Sequence, residues 1–267
     1  MTVMNLMLGD CLERMKEIPD GSVDAVICDP PYGTTSCKWD SVVDLNLMWL
    51  ELKRIIKPYG AIVLFGQEPF SSALRVSNIE EFKYDWFWRK TRPSGFTNAK
   101  LKPLKDLEVI SVFSKGATAN GSKRNMPYYP QGLDDCNEKW ERPRTYLEGD
   151  RGVNPARANT KLKRVITKKG YPRQVLDFPN PNNARIHPTQ KPVELMEYLI
   201  KTYTNEDQTV LDFTAGSFTT GFACLNLNRN FIGIELNKNY FDIGVNRIKD
   251  RIKQLDLKVD PMISMGD

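Results

Sequence analysis

Hydrophobic positions along the chain form two kinds of pattern. Continuous apolar runs predict buried strands, and apolar residues spaced three and four apart predict helices. The predicted strands cover residues 4–8, 22–28, 61–65, 84–88, 109–113, 209–212 and 230–235. The predicted helices cover residues 11–18, 45–56, 193–203, 219–227 and 239–252. Strands that alternate with helices predict an α/β fold with a doubly wound, mainly parallel sheet.

The middle of the chain has a different character. Residues 114–183 are rich in Pro, Gly, Asn, Lys and Arg and contain no long periodic segment. Scattered aromatic residues favour some packing there over a disordered linker. We therefore predict one main domain from residues 1–114 and 184–267, with residues 115–183 as an insertion.

Composition excludes several classes of protein. The chain has 267 residues, of which 40% are hydrophobic and 27% are charged, as in ordinary globular proteins. No apolar stretch approaches the roughly 20 residues of a membrane span, and the N-terminus does not resemble a signal peptide. Five cysteines without a CxxC pair and a single histidine, His187, argue against a disulfide framework and against a metal site. These features predict a cytoplasmic protein without a metal.

Positive charge is concentrated in one part of the chain. The net charge is +5, but residues 83–185 hold 22 Lys and Arg against 10 Asp and Glu, a net +12 inside an acidic remainder of −7. Such a segment is typical of a surface that binds a polyanion. The alternative is a solvated surface without a partner.

The first chemical motif is Asp-Pro-Pro-Tyr at residues 29–32, directly after a buried strand. The carboxylate of Asp29 and the carbonyl of Pro30 can accept the two N–H bonds of a planar amino group. Pro30 and Pro31 stiffen the turn, and the ring of Tyr32 can stack on the heterocycle that carries the amine. The alternative is a Pro-Pro turn that only ends the strand.

The second motif also follows a strand. Asp212 is succeeded by a turn that contains Gly216, and a helix begins shortly after it. A backbone of this kind can approach a ligand closely, and the helix N-terminus offers free N–H groups. The next strand ends in Glu235, where a carboxylate can accept from two ribose hydroxyls. Taken alone, this spacing fits many α/β proteins.

Together with His-Pro-Thr-Gln-Lys-Pro at residues 187–192, these motifs resemble those of the amino-methylating DNA methyltransferases that use S-adenosylmethionine. The resemblance is to the permuted group in which the catalytic motif precedes the cofactor motif, and it covers residues 5–113 and 186–250. It implies a Rossmann-like methyltransferase sheet, with the basic insertion as the target-recognition region. The implied catalytic residues are Asp29, Pro30, Pro31 and Tyr32. The implied cofactor-binding residues are Asp10, Lys191, Asp212, Phe213, Thr214, Ala215, Gly216, Ser217 and Glu235.

Two positions leave alternatives open. In the family's order of strands, Asp10 would hold the adenine amine of the cofactor, but Asp10 is also suited to cap the helix that follows it. The family has a second glycine where this chain has Phe218. Phe218 either begins the next helix or weakens cofactor binding.

The resemblance implies methyl transfer to adenine N6 of a base flipped out of double-stranded DNA. Asp rather than Ser at position 29 favours adenine, and cytosine N4 is the alternative. RNA and protein glutamine are further methyl acceptors within this chemistry, and a catalytically idle DNA-binding protein is a different class. Relatives often form dimers, which implies a possible homodimer.

Basic residues in two segments are candidates for phosphate or base contacts. We predict that Lys90, Arg92, Lys100 and Lys102 lie in a loop around Gly95 and Phe96. In the insertion the candidates are Arg142, Arg144, Lys161, Lys163 and Arg164. The alternative is that all of them are ordinary surface charges.

Overall fold

The structure, a computed structural model, describes residues 2–33, 42–141, 163–181 and 190–266. The chain divides into two compact units. The larger consists of Met1–Tyr129 and Gln174–Asp267, and the smaller is Pro130–Arg173. The smaller unit lies within the predicted insertion, and its role in target recognition stays a prediction.

The strands, in chain order, are β1 (Met4–Leu8), β2 (Val23–Cys28), β3 (Ile56–Gly66), β4 (Phe82–Ser94), β5 (Lys105–Phe113), β6 (Asp134–Glu141), β7 (Lys163–Lys169), β8 (Val175–Asp177), β9 (Thr209–Asp212), β10 (Asn230–Glu235) and β11 (Met262–Met265). The α-helices are α1 (Cys11–Met15), α2 (Leu45–Ile55), α3 (Phe70–Ser77), α4 (Val193–Tyr203), α5 (Thr219–Asn226) and α6 (Lys238–Gln254).

The larger unit contains a nine-stranded sheet with the order β11-β1-β10-β9-β2-β3-β5-β4-β8. Among these nine strands, β5 alone runs against the others, because it pairs antiparallel with both β3 and β4. The carboxyl ends of β1, β10, β9, β2, β3 and β4 therefore share one edge of the sheet. The sheet is mainly parallel, so the predicted fold class is confirmed.

Helices cover both faces of this sheet. One apolar layer packs α1, α2 and α3 against it through residues such as Met15, Leu52 and Leu74. The other packs α4, α5 and α6 through residues such as Leu199 and Phe241. Every residue of β2 is buried, as a continuous apolar run between two helical layers requires.

The predicted secondary structure was incomplete or wrong in several places, and strands β8 and β11 were not predicted. Helix α3 was not predicted, because it has only eight residues and follows Pro69 at its N-cap. The prediction that Lys90 and Arg92 lie in a loop was wrong: β4 extends to Ser94, because its antiparallel pairing with β5 continues to Lys105. In the smaller unit, β6 and β7 form a two-stranded antiparallel sheet that has no periodic apolar signal.

Within the described residues, no helix is long and apolar enough to cross a membrane.

Candidate active site

A cavity of about 360 Å³ opens at the carboxyl edge of the sheet, between β9 and β2. Strand order reverses at this point: β9, β10 and β1 extend to one side, and β2 and β3 to the other. Ligands of open α/β sheets bind at such a switch point. Both sequence motifs line the cavity, residues 29–32 from the end of β2 and residues 212–217 from the end of β9.

Asp29 is the centre of a cluster of charged side chains. One of its oxygens accepts a hydrogen bond from the Tyr32 hydroxyl, and the other accepts from the Lys191 ammonium. Lys191 also lies 2.8 Å from Glu108, and the Tyr32 hydroxyl lies 3.2 Å from the same carboxylate. Glu108 in turn accepts from Lys90 at 2.6 Å. We call these five residues the Asp29 cluster.

Burial and charge act on the Asp29 cluster in opposite directions. Burial raises the pKa of Asp29, the ammonium of Lys191 lowers it, and the net pKa lies above the usual value. Burial also raises the pKa of Glu108, but Lys191 and Lys90 together bring it below the usual range. Although burial lowers the pKa of Lys191, the carboxylates of Asp29 and Glu108 outweigh that effect and raise it. Lys191 and Glu108 are therefore a charged pair.

Glu108 and Lys90 were not recognised in the sequence as site residues, although Lys90 was a candidate for phosphate contact. Their juxtaposition depends on the register between β4 and β5, in which Trp88 pairs with Glu108. One signal was present: Glu108 is a charged residue directly before the apolar run at 109–113. A carboxylate in a buried strand is rare unless it is paired.

The second motif forms a turn that we call the β9 loop, residues 212–217. Asp212 accepts from the Thr214 amide at 3.3 Å and from the Thr220 hydroxyl at 2.5 Å, and it is almost fully buried. Burial raises the pKa of Asp212 to about 6. The Ala215 amide donates to the carbonyl of Ile234 on β10 at 2.8 Å. The loop is therefore fixed by hydrogen bonds to the Asp212 carboxylate and to the backbone of β10.

Glu235 faces the cavity from the end of β10. It accepts from the Gly216 amide at 2.8 Å and from the Asn237 amide at 2.7 Å, so it is oriented by backbone groups on both sides. Gly216 has φ 54°, a conformation that favours glycine. Asp10 lines the same cavity and caps α1 through Oδ1, which accepts from Leu12 and Glu13. The cap does not use Oδ2.

Thr214 joins the two motifs. Its hydroxyl donates to the carbonyl of Asp29 at 3.1 Å and lies 2.9 Å from the thiol of Cys28. This contact follows from the sheet, because β2 and β9 pair in parallel with Val26 beside Leu211. One threonine thus fixes the distance between Asp29 and the β9 loop.

Comparison with known proteins agrees with this geometry. The chain matches the DNA methylase family over residues 23–246. It belongs to that family. The type II methyltransferase M.HpaI of Haemophilus parainfluenzae is 27% identical over 268 residues, 94% of this chain and 76% of that protein. The DNA adenine methyltransferase YhdJ of Escherichia coli strain K12 is 28% identical over 258 residues, 90% of this chain and 81% of that protein.

A solved structure, the M1.HpyAVI–SAM complex, is 27% identical and superimposes with a TM-score of 0.59, covering 91% of this chain and 100% of that one. The predicted family is therefore confirmed, and the chain is a DNA methylase with a Rossmann-like sheet.

Phe218 departs from the glycine that the resemblance implies, and the structure shows how this DNA methylase accommodates it. Phe218 has φ 56° and is the N-cap of α5, so its backbone keeps the left-handed conformation that glycine adopts easily. Its ring is fully buried against Phe231 and Phe241 and does not line the cavity. Of the two alternatives for this residue, the structure therefore supports the one in which Phe218 begins the helix.

The other predicted residues lie in different places. Lys191, predicted in the cofactor site, contacts Asp29 and Glu108. Lys90, a candidate DNA contact, is largely buried in its ion pair with Glu108. Arg92 on β4 and Lys100 and Lys102 beyond it are exposed. Arg142, Arg144 and Lys161 lie outside the described residues, as does His187. Lys163 and Arg164 belong to β7, but their side chains are not described.

Proposed function

We propose that this DNA methylase transfers a methyl group from S-adenosylmethionine to N6 of an adenine flipped out of double-stranded DNA. One observation carries the proposal: Asp29 and the β9 loop line the same cavity and are held together by Thr214. A group that accepts an amine hydrogen bond and a loop suited to a nucleoside cofactor thus lie within one site. Catalysis by this arrangement needs positioning and electrostatics but no covalent intermediate with the protein.

The residues around the β9 loop fit S-adenosylmethionine. Carboxylates of Glu235 and Asp10 face the cavity and can accept from hydroxyl and amino groups. The volume of about 360 Å³ lies within the range of small-molecule sites. Gly216 lines the cavity and carries no side chain that could fill it. The bound cofactor supplies an electrophilic methyl group on a sulfonium.

Asp29 and Pro30 orient the target amine. The Asp29 carboxylate accepts one amine N–H, which localises the lone pair of the nitrogen and makes it a better nucleophile. The Pro30 carbonyl accepts the second N–H, and the ring of Tyr32 stacks on the base. The Tyr32 hydroxyl now occupies one oxygen of Asp29, and its ring lies 5.3 Å from Phe70. An amine that enters the site replaces this hydroxyl at Asp29.

Two alternatives remain distinct from adenine methylation. Cytosine N4 carries the same kind of amine, but the name of the relative YhdJ and the Asp at position 29 support adenine. An idle DNA-binding protein was suggested by Phe218. The burial of Phe218 behind the β9 loop, away from the cavity, supports an active enzyme instead.

The test uses the full chain with S-adenosylmethionine labelled on the methyl group and unmodified duplex DNA of random sequence. After digestion, mass spectrometry separates N6-methyladenine from N4-methylcytosine. We expect label in N6-methyladenine. Label only in N4-methylcytosine would replace adenine by cytosine, and absence of label with retained DNA binding would favour the idle protein. RNA and protein substrates in parallel reactions complete the comparison.

We propose that basic residues after β4 and in the insertion bind DNA. Neutralising Lys100 and Lys102, or Arg142 and Arg144, or Lys161, Lys163 and Arg164, should weaken DNA binding and leave cofactor affinity unchanged. For each phosphate-binding side chain that is neutralised, the slope of log K against log salt should fall by about one. A base-reading arginine would instead relax the preferred sequence, at about 1–3 kcal/mol. Titrations at two salt concentrations distinguish these outcomes from unchanged binding, which surface charges without a partner would give.

A cytoplasmic location and a homodimer stay predictions from the sequence. Sedimentation of the purified chain with and without DNA measures the second.

A further inference from the structure

Glu108 is a deeply buried carboxylate of the cavity wall, with only 4% of its side chain exposed. It lies on β5, opposite Trp88 of β4, and its two oxygens bind different ammonium groups: Oε2 lies 2.6 Å from Lys90 and Oε1 lies 2.8 Å from Lys191. None of the motifs that carry the family resemblance contains Glu108 or Lys90.

The charges of the Asp29 cluster are balanced. Two carboxylates, Asp29 and Glu108, face two ammonium groups, Lys90 and Lys191. Each ammonium also lies over an aromatic ring, Lys191 at 5.0 Å from the centroid of Phe65 and Lys90 at 5.2 Å from that of Trp88. Removing one charge from such a buried set leaves its partner uncompensated, which is strongly unfavourable.

Lys191 is shared between the two carboxylates. An ammonium has three N–H donors, and here one is directed at Asp29 and another at Glu108. Without the charge of Glu108, the Lys191 N–H that now points to Glu108 Oε1 would turn to Asp29, the remaining carboxylate nearby. A carboxylate bound more fully by an ammonium is a weaker acceptor for a neutral amine, because the cation competes for the same lone pairs.

We propose that Glu108 is a positioning residue of the methyl-acceptor site: by holding Lys191 and Lys90, it keeps Asp29 available to the target amine. The inference rests on the proposed function, since it assigns Glu108 a role through Asp29 in the same reaction. Lys191 thereby belongs to the acceptor side of the cavity. Lys90 forms an ion pair with the second oxygen of Glu108 and so balances the remaining charge of the cluster.

The test compares the parent with Glu108→Gln, which keeps the shape and removes the charge. In single-turnover reactions with saturating cofactor and duplex DNA, we expect the methyl-transfer rate to fall at least about tenfold. The calorimetric dissociation constant for S-adenosylmethionine should stay within twofold. Rate loss without loss of cofactor binding separates positioning from general damage to the site.

A second measurement does not depend on turnover. The titratable groups around Asp29 are Tyr32, Glu108, Lys191, Cys28 and, through the adjacent strand, Asp212. Because the Glu108 charge raises the pKa of Asp29, Glu108→Gln should lower it. A ¹³C-carboxyl titration of labelled aspartate reports this change, and the acid limb of the single-turnover rate should move to lower pH with it.

Asp24→Asn is the matched control. Asp24 is also a buried carboxylate paired with a lysine, Lys57 at 2.8 Å, but it lies on β2 at the opposite edge of the sheet. This variant should keep the parental transfer rate and the pKa of Asp29. If Glu108→Gln folds poorly, the double variant with Lys90→Met restores charge balance, and it should regain stability without regaining the rate.

The outcomes separate the two proposals. A parent that methylates no DNA contradicts the proposed function, and the carboxyl titration still decides whether Glu108 acts on Asp29. A parent that is active together with a Glu108→Gln variant of equal rate and unchanged Asp29 pKa overturns the positioning role. Equal losses of rate and of cofactor affinity would also overturn it, because they indicate a structural role.

Discussion

The two sides of the cavity hold their carboxylates by different means. On the β9 side, Asp212 and Glu235 are held by backbone amides and a threonine hydroxyl. Within the described ranges, no lysine or arginine forms a salt bridge with either of them. In the Asp29 cluster, each carboxylate is instead bound by at least one lysine ammonium.

This difference suits two kinds of ligand. A nucleoside with a sulfonium is a cation with hydroxyl donors, so ionised carboxylates that no lysine or arginine neutralises favour it. A neutral amine is a weaker donor, and its acceptor must be held in one orientation without being saturated. The β9 side therefore provides charge, whereas the Asp29 cluster provides a balanced charge and a fixed geometry.

Asp29→Ala should impair methyl transfer to the amine without impairing cofactor binding. We expect the methyl-transfer rate to fall by about 100-fold or more, since a preorganised group at the reacting amine is removed. The dissociation constant for S-adenosylmethionine, measured by calorimetry, should change no more than a few fold, because the carboxylate of Asp29 is not part of the β9 loop. Near-normal turnover would remove Asp29 from catalysis.

Glu235→Ala should weaken cofactor binding without impairing the acceptor side of the cavity. Losing a charged hydrogen-bond acceptor should weaken cofactor binding by about 1–3 kcal/mol, and saturating cofactor should restore most of the transfer rate. Calorimetry and the rate at several cofactor concentrations measure both. The Glu235→Gln variant is the control, since its amide oxygen can still accept from the Gly216 amide. Unchanged affinity in Glu235→Ala would exclude Glu235 from the cofactor site.

Asp29 and Glu235 could be predicted because each directly follows an apolar run, and parallel strands bring such positions to one edge. Thr214 was predicted as a loop residue, but its bond to Asp29 depends on β2 and β9 being neighbours, which periodicity does not show. Glu108 and Lys90 meet through the register of an antiparallel pair. That register depends on side-chain packing along both strands.

Phe218 illustrates a second limit. A missing motif glycine indicates a defect only if the residue in its place cannot adopt the backbone conformation that the motif needs. Here the backbone of Phe218 adopts a left-handed conformation, and space for the ring comes from glycines elsewhere, Gly233 on β10 and Gly244 on α6. Residues so distant in sequence cannot be related without the fold.

The pH dependence of stability tests how the β9 side holds Asp212 without a lysine among the described residues. Its pKa is raised to about 6 by burial, and no lysine in the described part of the chain lowers it, while an unfolded aspartate ionises near 3.8. Between these values the unfolded state loses its proton first, so this carboxyl reduces stability as pH rises from about 4 to 6. The reduction is at most about 3 kcal/mol above pH 6. Asp212→Asn lacks this effect.

The stability of Asp212→Asn relative to the parent should therefore improve as pH rises through this window. Urea unfolding at pH 4 and pH 7 measures it. An equal difference at both pH values would mean that burial does not raise the pKa of Asp212, and that the two sides of the cavity do not differ in this respect.

The smallest expected effect is on stability, through the packing of Phe218 between the β9 loop and α6. A Cβ added at Gly244 would lie 2.5 Å from the ring of Phe218, so Gly244→Ala should destabilise the protein by about 1–3 kcal/mol through overpacking. Gly244 lies inside α6, where alanine is otherwise better than glycine by about 1 kcal/mol.

In a Phe218→Ala background the ring is gone, and Gly244→Ala should become neutral or stabilising. Urea unfolding of the parent, both single variants and the double variant measures this coupling. A cost that persists without the ring would show that Gly244 does not serve to accommodate Phe218.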